Sequence, residues 1–159
     1  KLQQKYSKLP FYADISTYFA SHGISENAVT PMQLREATSV VRVRKLPDPS
    51  TVANSGSFFK NPIVSPDKYN ALLHTYPSLK AHETDDGSLK LYGAQLIELS
   101  GMKDYHDAKT GMATWKNQAL VMVNENAKTT DDLMQFKQKV ITSVEKHFGI
   151  TLIQEPEIV

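Results

Sequence analysis

Residues 45–64, with the sequence KLPDPSTVANSGSFFKNPIV, constrain the fold of this chain more than any other stretch. Two prolines end any helix that precedes them, and the run 57–61 has the composition of a strand. Side chains of a strand alternate between two faces, so Ser57 and Asn61 would lie on the same face. Gly56, just before the serine, predicts a bulge or a place where a ligand approaches the backbone. The residues themselves leave two interpretations open, a ligand site and a surface hairpin whose polar side chains face water.

Length and composition are those of an ordinary folded domain. The chain has 159 residues, of which 40% are hydrophobic and 22% are charged, so it can bury a substantial core. Its net charge of +1 predicts neither nucleic acid nor an anionic membrane as a partner. The absence of cysteine excludes disulfides and zinc–thiolate sites and is typical of a reducing compartment, so we expect a cytoplasmic protein. No apolar run approaches the roughly 20 residues of a membrane span.

Four segments carry helix signals. Thr30, Pro31 and Gln33 combine a capping box with proline at the first helical position, which predicts a helix to about Arg44. The longest of the four helices is the last one in the chain, which has an apolar stripe at helical spacing and a glycine after its last turn. The other three predicted helices begin at Ser65 and Pro66, at residues 94–99, and at Thr129 or Thr130, the last ending at Gly149.

Strand signals are interspersed with these helices. The continuous apolar run 119–124 predicts a central strand that is buried on both faces. Further strands are expected at 88–92 and 150–159. Together the elements predict an α+β fold, a small two-layer domain with helices packed on one face of a small mixed sheet.

Two polar connections separate these elements. Residues 82–87 read as a loop with an Asp-Gly turn, and residues 101–111 as a connection without periodicity. His106 lies in the second, but no further ligands at zinc spacing and no nucleophile elbow accompany it, so we expect no metal site and no hydrolase chemistry. Trp115, the only tryptophan, is expected to pack at the edge of the domain.

Six short strings in one order resemble a known family. They are YADIS, Arg42 followed by KLPDP, GSFFKNP, DGSLKL, QALVMVN and EPEIV, and they cover nearly the whole chain. The set is similar to the C-terminal part of UDP-N-acetylenolpyruvoylglucosamine reductase, the bacterial flavoenzyme of cell-wall precursor synthesis. The resemblance implies that residues 1–45 are the tail of an FAD-binding domain and that 46–159 form the C-terminal substrate-binding domain. Because the chain starts with Lys1 and stops in a strand-like run, we expect it to be a piece of a longer protein.

The resemblance also implies a reaction. NADPH reduces FAD, which passes a hydride to the enolpyruvyl group of a UDP-sugar; both cofactors would need domains that precede this chain. Ser57 is implied as the proton donor, and Glu157, the second glutamate of the Glu-Pro-Glu string, as the carboxyl that polarises the enolate, with Glu155 as a neighbour. Val159 stands where the family usually has an arginine, so no role of that arginine is carried over.

Binding roles are implied in the same way. His82 stands where one class of these reductases has a tyrosine that clasps the diphosphate, and an imidazole can still donate a hydrogen bond to phosphate. Arg42 and Gly56 are implied as flavin contacts. The substrate contacts implied by the resemblance are Tyr12, Lys45, Asn61, His82, Lys90 and Gln118.

Two other functions remain open at this stage, a non-enzymatic module that binds a phosphorylated ligand and a purely structural interaction domain. The enzyme interpretation requires Ser57 and Glu157, 100 residues apart, to meet in one cleft with Asn61 and Lys45. We expect this chain alone to be monomeric, colourless and inactive, with at most weak affinity for the UDP-sugar, since its flavin domain would lie before Lys1.

Overall fold

The structure, a computed structural model, describes residues 11–157. The chain divides into two compact units, Lys1–Lys45 and Leu46–Val159. The first unit contains α1 (Ala13–Ser21) and α2 (Pro31–Lys45). The elements of the second unit are β1 (Ala53–Ser57), β2 (Ile63–Val64), α3 (Pro66–Thr75), β3 (Ala81–Glu83), β4 (Leu89–Leu91), α4 (Gly93–Leu99), β5 (His106–Asp107), β6 (Met112–Trp115), β7 (Gln118–Asn124) and α5 (Thr130–Phe148).

The first unit is a pair of helices around a small core of Ile15, Phe19 and Ala37. The predicted capping box at the start of α2 is confirmed. The backbone N–H of Thr30 donates to Gln33 Oε1 at 2.9 Å, and the N–H of Gln33 donates to Thr30 Oγ1 at 3.3 Å. These bonds satisfy donors that the first turn of a helix leaves without partners, which is why α2 begins where the sequence predicts.

A four-stranded antiparallel sheet in the order β1-β7-β6-β5 forms the centre of the second unit. The predicted central strand is confirmed, because β7 lies between β1 and β6 and five consecutive residues of it are buried. Helix α5 covers one face through Phe136, Val140 and Val144, together with α3 and α4. The helices therefore pack on one face, as predicted.

The other face of this sheet has a small cluster of its own. Ala113, Val121 and Val123 are buried there. Leu46 and Val52, which flank the proline turn, pack against them together with the half-buried Trp115. The predicted edge position of the tryptophan agrees with this environment.

A second sheet corrects the prediction of one mixed sheet. Strands β2, β4 and β3 form a separate three-stranded sheet in the order β2-β4-β3, and every strand pairing among residues 11–157 is antiparallel. Residues 82–87 are not all loop, since His82 and Glu83 belong to β3 and only 84–88 form the turn. The connection 101–111 likewise contributes the short strand β5. The α+β class itself is confirmed.

The first strand lies earlier than predicted and contains the expected bulge. Strand β1 ends at Ser57, whereas the sequence suggested a strand over 57–61. Its register with β7 shifts between Asn54 and Ser57, and Gly56 has a φ of +74°. Glycine adopts this left-handed conformation without the steric penalty of a Cβ atom, which explains its place in the bulge.

Both ends of α5 are capped at residues that the sequence predicted. Thr129, not Thr130, is the N-cap of α5, and it exchanges hydrogen bonds with Asp132 in a capping box. Gly149 ends the helix with a φ of +58°.

Beyond this helix, the predicted strand 150–159 is wrong as a regular strand, because the described part forms one isolated bridge, Phe59 with Gln154. Residues 158–159 lie outside the described residues.

Candidate functional site

Ser57 lies exposed at the end of β1, opposite Val121 of β7 and directly after the bulge. The side chain of Asn54 holds this bulge in shape. Its Oδ1 accepts from the N–H of Gly56 at 3.0 Å, and its Nδ2 donates to Val52 O at 2.8 Å. Sequence reasoning missed this role of Asn54, although an asparagine two residues before a glycine is a known turn signal. The bonds fix the backbone from which the Ser57 hydroxyl projects.

The terminal segment runs antiparallel to the residues that follow Ser57. The N–H of Lys60 donates to Ile153 O at 2.8 Å, and the N–H of Glu155 donates to Phe58 O at 2.9 Å, on either side of the Phe59–Gln154 bridge. The pairing brings Glu155 beside Phe58, the residue that follows Ser57, and Glu157 comes two residues later in the chain.

A glutamine that the sequence did not suggest tethers this segment. Gln154 Oε1 accepts from Lys137 Nζ of α5 at 3.1 Å, and its Nε2 donates to Pro156 O at 2.5 Å. One side chain thus joins helix α5 to the backbone just before Glu157. Both Glu155 and Glu157 are exposed, so their carboxylates are accessible to a ligand.

Asn61 is half-buried and points its amide oxygen at the start of α4. Its Oδ1 accepts from the N–H of Gly93 at 2.8 Å. This contact engages only the oxygen of the carboxamide, whose Nδ2 carries two further donors. Gln118, another predicted ligand contact, is the half-buried first residue of β7, three residues before the partner of Ser57.

The two predicted substrate contacts of the second sheet are direct neighbours. Lys90 of β4 pairs with His82 of β3 on one side and with Ile63 of β2 on the other. Residues directly opposite in an antiparallel sheet project from the same face with Cβ atoms roughly 5 Å apart. Both Lys90 and His82 are exposed, and 61% of Ile63 is exposed too. This row presents a cation, an imidazole and an apolar side chain on one solvent-facing surface, an arrangement suited to an anionic ligand that also has an apolar part.

The remaining predicted contacts belong to the first unit. Tyr12 precedes α1 and is 86% exposed. Lys45 forms an ion pair with Asp14, and Arg44 pairs with the same carboxylate at 3.5 Å. Arg42 is exposed on α2. The convergence of Lys45 with the residues of the second unit stays a prediction.

Two cavities of the second unit lie away from these residues. One of about 360 Å³ lies between β1, β7 and the start of α5, and one of about 480 Å³ lies against β6 beside His106. Neither lining includes Ser57, Asn61 or Glu157. The predicted site residues therefore line neither of these two cavities.

One ion pair of this unit contains a buried carboxylate. Asp107 of β5 is buried and accepts hydrogen bonds from Lys139 Nζ at 2.8 Å and from Thr110 Oγ1 at 3.1 Å. The bond with Lys139 lowers the pKa of Asp107 in opposition to its burial, and the same bond raises the pKa of Lys139. His106 beside it donates from Nδ1 to Glu125 Oε1 at 2.8 Å. Within residues 11–157, no three His, Cys, Asp or Glu side chains are placed to hold a metal ion.

Comparison with known proteins gives one consistent result. Residues 48–159 match the family model described as UDP-N-acetylenolpyruvoylglucosamine reductase, C-terminal domain. A protein of that name from Chromobacterium violaceum is 37% identical over 147 residues, covering 92% of this chain and 42% of the relative. Those from Polynucleobacter asymbioticus and an Azoarcus species are 34% and 35% identical over 99% and 100% of this chain. The chain spans 44% and 45% of their lengths, so it corresponds to less than half of each relative. Among the described residues, no helix is long and apolar enough to cross a membrane.

Proposed function

Because the chain belongs to the family of the UDP-N-acetylenolpyruvoylglucosamine reductase C-terminal domain, we propose that it is the substrate-binding part of such a reductase. In this proposal the intact enzyme reduces UDP-N-acetylglucosamine enolpyruvate to UDP-N-acetylmuramate, a precursor of peptidoglycan, in the cytoplasm and as a monomer. The observation that carries the proposal is the pairing of the terminal segment with residues 58–60, because it brings the segment that holds both glutamates alongside the residues that follow Ser57.

FAD and NADPH are the cofactors of this proposal, held by domains that correspond to the part of the relatives that this chain does not cover. When bound, the flavin supplies the hydride. The residues around Ser57 fit the approach of a flat ring, because a Cβ atom built on Gly56 would meet nothing within 4 Å. Arg42 and Gly56 are the proposed flavin contacts.

The residues of this chain handle the proton and the developing charge. Once the terminal alkene carbon has received the hydride, negative charge develops on the carbon next to the carboxylate, and the Ser57 hydroxyl donates the proton that neutralises it. A serine is a poor acid, so neighbouring groups must stabilise its alkoxide. Glu157 is the proposed partner that polarises the enolate. Glu155 is a second candidate for this role, because its own backbone N–H is bound to the strand end that carries the serine.

The diphosphate of the substrate is proposed to bind on the row of Lys90 and His82. Two adjacent donors, one of them a fixed cation, suit phosphate oxygens, and Asn61 adds amide donors from the neighbouring segment. Exposed Ile63 offers an apolar contact beside them. Gln118, Tyr12 and Lys45 complete the proposed set of substrate contacts.

The decisive experiment separates the two half-reactions in an intact reductase that contains this chain. Ser57→Ala should slow oxidation of the reduced flavin by the substrate roughly 10²-fold or more, the range for a lost general acid. Flavin reduction by NADPH should stay near the parent rate. Ser55→Ala is the matched control, since Ser55 is another exposed serine of the same strand. A fall of both half-reactions together would make Ser57 structural.

The glutamates are compared in the same assay. Glu157→Gln and Glu155→Gln keep the size of the side chain and remove its charge. The proposal expects one of them to slow the second half-reaction as strongly as the serine variant does. Parent rates in both would remove the carboxyl from the mechanism and leave a phosphate-binding module as the better description.

A further inference from the structure

The start of α4 is capped by a residue from another segment. Gly93 is the first residue of this helix, where a backbone N–H has no partner within the helix. The N-cap residue, Tyr92, forms no side-chain cap bond. Asn61, 32 residues earlier, supplies the acceptor instead, through its Oδ1 at 2.8 Å. The side chain of Asn61 therefore provides the hydrogen-bond acceptor that the N-cap residue of α4 does not provide.

This bond also decides which way the carboxamide faces. An asparagine side chain has an acceptor oxygen on one side and a donor nitrogen on the other, and a bond to an N–H must use the oxygen. The Nδ2 donors of Asn61 are then directed away from Gly93. The N–H of Leu91 donates to Pro62 O at 2.9 Å, so the pairing of β2 with β4 continues to Pro62, and strand alternation predicts that Asn61 projects on the side of Ile63. That side is the exposed row that Ile63 forms with Lys90 and His82.

We propose that the backbone N–H of Gly93 is the positioning group for Asn61, which it holds with the amide donors directed at the oxygens of a bound diphosphate. The inference rests on the proposed function for the identity of the ligand. It adds that Asn61 has two separable tasks: its oxygen anchors α4, and its nitrogen binds the ligand. Gly93 acts through Asn61 and does not itself contact the substrate.

Two substitutions at Asn61 separate these tasks in the whole chain. Asn61→Asp keeps an oxygen for the Gly93 N–H but replaces both donors with a negatively charged acceptor, whereas Asn61→Ala loses the oxygen and the donors without adding a charge. The probe is UDP, and its binding is followed by the ¹H–¹⁵N NMR shifts of Ile63, His82 and Lys90. Asn61→Asp should retain the melting temperature of the parent and bind UDP about tenfold more weakly or worse, the factor that corresponds to 1.4 kcal/mol. Asn61→Ala should bind weakly and also melt earlier.

Two substitutions at Gly93 test the positioning step. Gly93→Pro removes the N–H at a helix position that tolerates proline, while Gly93→Ala retains it. Both add a Cβ that would lie 2.9 Å from Leu120 Cδ2 and 3.3 Å from Asn61 Oδ1, so the two variants differ in the N–H. We expect Gly93→Pro to bind UDP at least about fivefold more weakly than Gly93→Ala, because only the proline variant lacks the N–H. Equal UDP affinity in the parent, Gly93→Pro and Asn61→Asp chains would overturn the inference.

A second readout does not depend on the ligand. The Gly93 amide proton should exchange slowly with solvent in the parent and in Asn61→Asp, and at least about tenfold faster in Asn61→Ala. If the parent fails to bind UDP, the proposed function loses its support. Hydrogen exchange of the Gly93 amide still tests the Asn61–Gly93 hydrogen bond in that case. Unchanged exchange in Asn61→Ala would overturn the positioning role even if UDP binds.

Discussion

Replacing Lys139 by methionine tests how much one buried carboxylate depends on its partner. Asp107 is only 7% exposed, and three donors reach it, Lys139 Nζ at 2.8 Å, Thr110 Oγ1 at 3.1 Å and the N–H of Lys109 at 3.3 Å. Methionine keeps most of the volume of the lysine stem and removes the charge, so it leaves a buried carboxylate with two neutral donors. Breaking such a pair is costly because the remaining charge stays out of water.

The magnitude follows from the burial of the two groups. A hydrogen bond to a charged group contributes roughly 1.5–3 kcal/mol to the free energy of unfolding. The side chain of Lys139 is 41% exposed, so water screens part of the interaction and the lower part of that range applies. We expect Lys139→Met to lower the free energy of unfolding by about 2 kcal/mol. With a urea dependence of roughly 1–3 kcal/mol per molar, the midpoint should fall by roughly 1 M.

The assay is urea unfolding followed by the fluorescence of Trp115, the only tryptophan, which reports on the second unit. Lys146→Met is the matched control, since Lys146 is exposed on the same helix. A midpoint for Lys139→Met equal to that of the control would refute the reasoning, because it would mean that solvent or Thr110 replaces the lysine at no cost.

The pH dependence of the free energy of unfolding tests the same Asp107–Lys139 interaction. The folded chain lowers the pKa of Asp107 below its ordinary value of 3.8, chiefly through the Lys139 bond. A lowered carboxyl pKa adds stability that is present above the ordinary value and is lost as pH falls through the folded value. The difference in stability between the parent and Lys139→Met should therefore be constant near neutral pH and shrink below about pH 4. A difference that grows in acid would contradict this assignment.

Three further substitutions test local features, each by the same urea assay. Thr129→Ala should cost about 1 kcal/mol because it removes the N-cap of α5, whereas Thr130→Ala, one residue later, should change stability by less than about 0.5 kcal/mol. Gly56→Ala should cost about 1 kcal/mol from its left-handed backbone alone, since nothing within 4 Å would meet the new methyl group. Gly149→Ala should cost a similar amount at the end of α5, where φ is +58°. Parent stability in either glycine variant would show that the backbone there relaxes to another conformation.

Local features of the fold could be predicted from the sequence because they depend on neighbours within about four residues. The capping boxes at Thr30 and Thr129 and the bulge at Gly56 are interactions of this kind. The central strand 119–124 was also predictable, since a continuous apolar run must be buried on both faces. Its exact partners were not.

The candidate site was only partly predictable, and the reason is strand register. The resemblance named Lys90 and His82, but the pairing that makes them neighbours, with Ile63 on the other side, exists only in the second sheet. Nothing in the sequence indicated a separate sheet, because three strands of two or three residues carry little periodicity of their own.

The sequence alone indicated where α2, α3 and α5 begin, which strand is central, and which residues resemble a reductase; the helix α1 was not predicted. Only the tertiary structure decided that Gln154 tethers the terminal segment to Lys137, that Asn61 caps α4, and that a lysine on α5 pairs with Asp107. These contacts join residues 17 to 32 positions apart, and each depends on how whole elements pack. A polar side chain forms a hydrogen bond with whichever partner the packing places within about 3 Å of it. Local sequence patterns do not reveal which residue that is, because the partner is distant in the sequence.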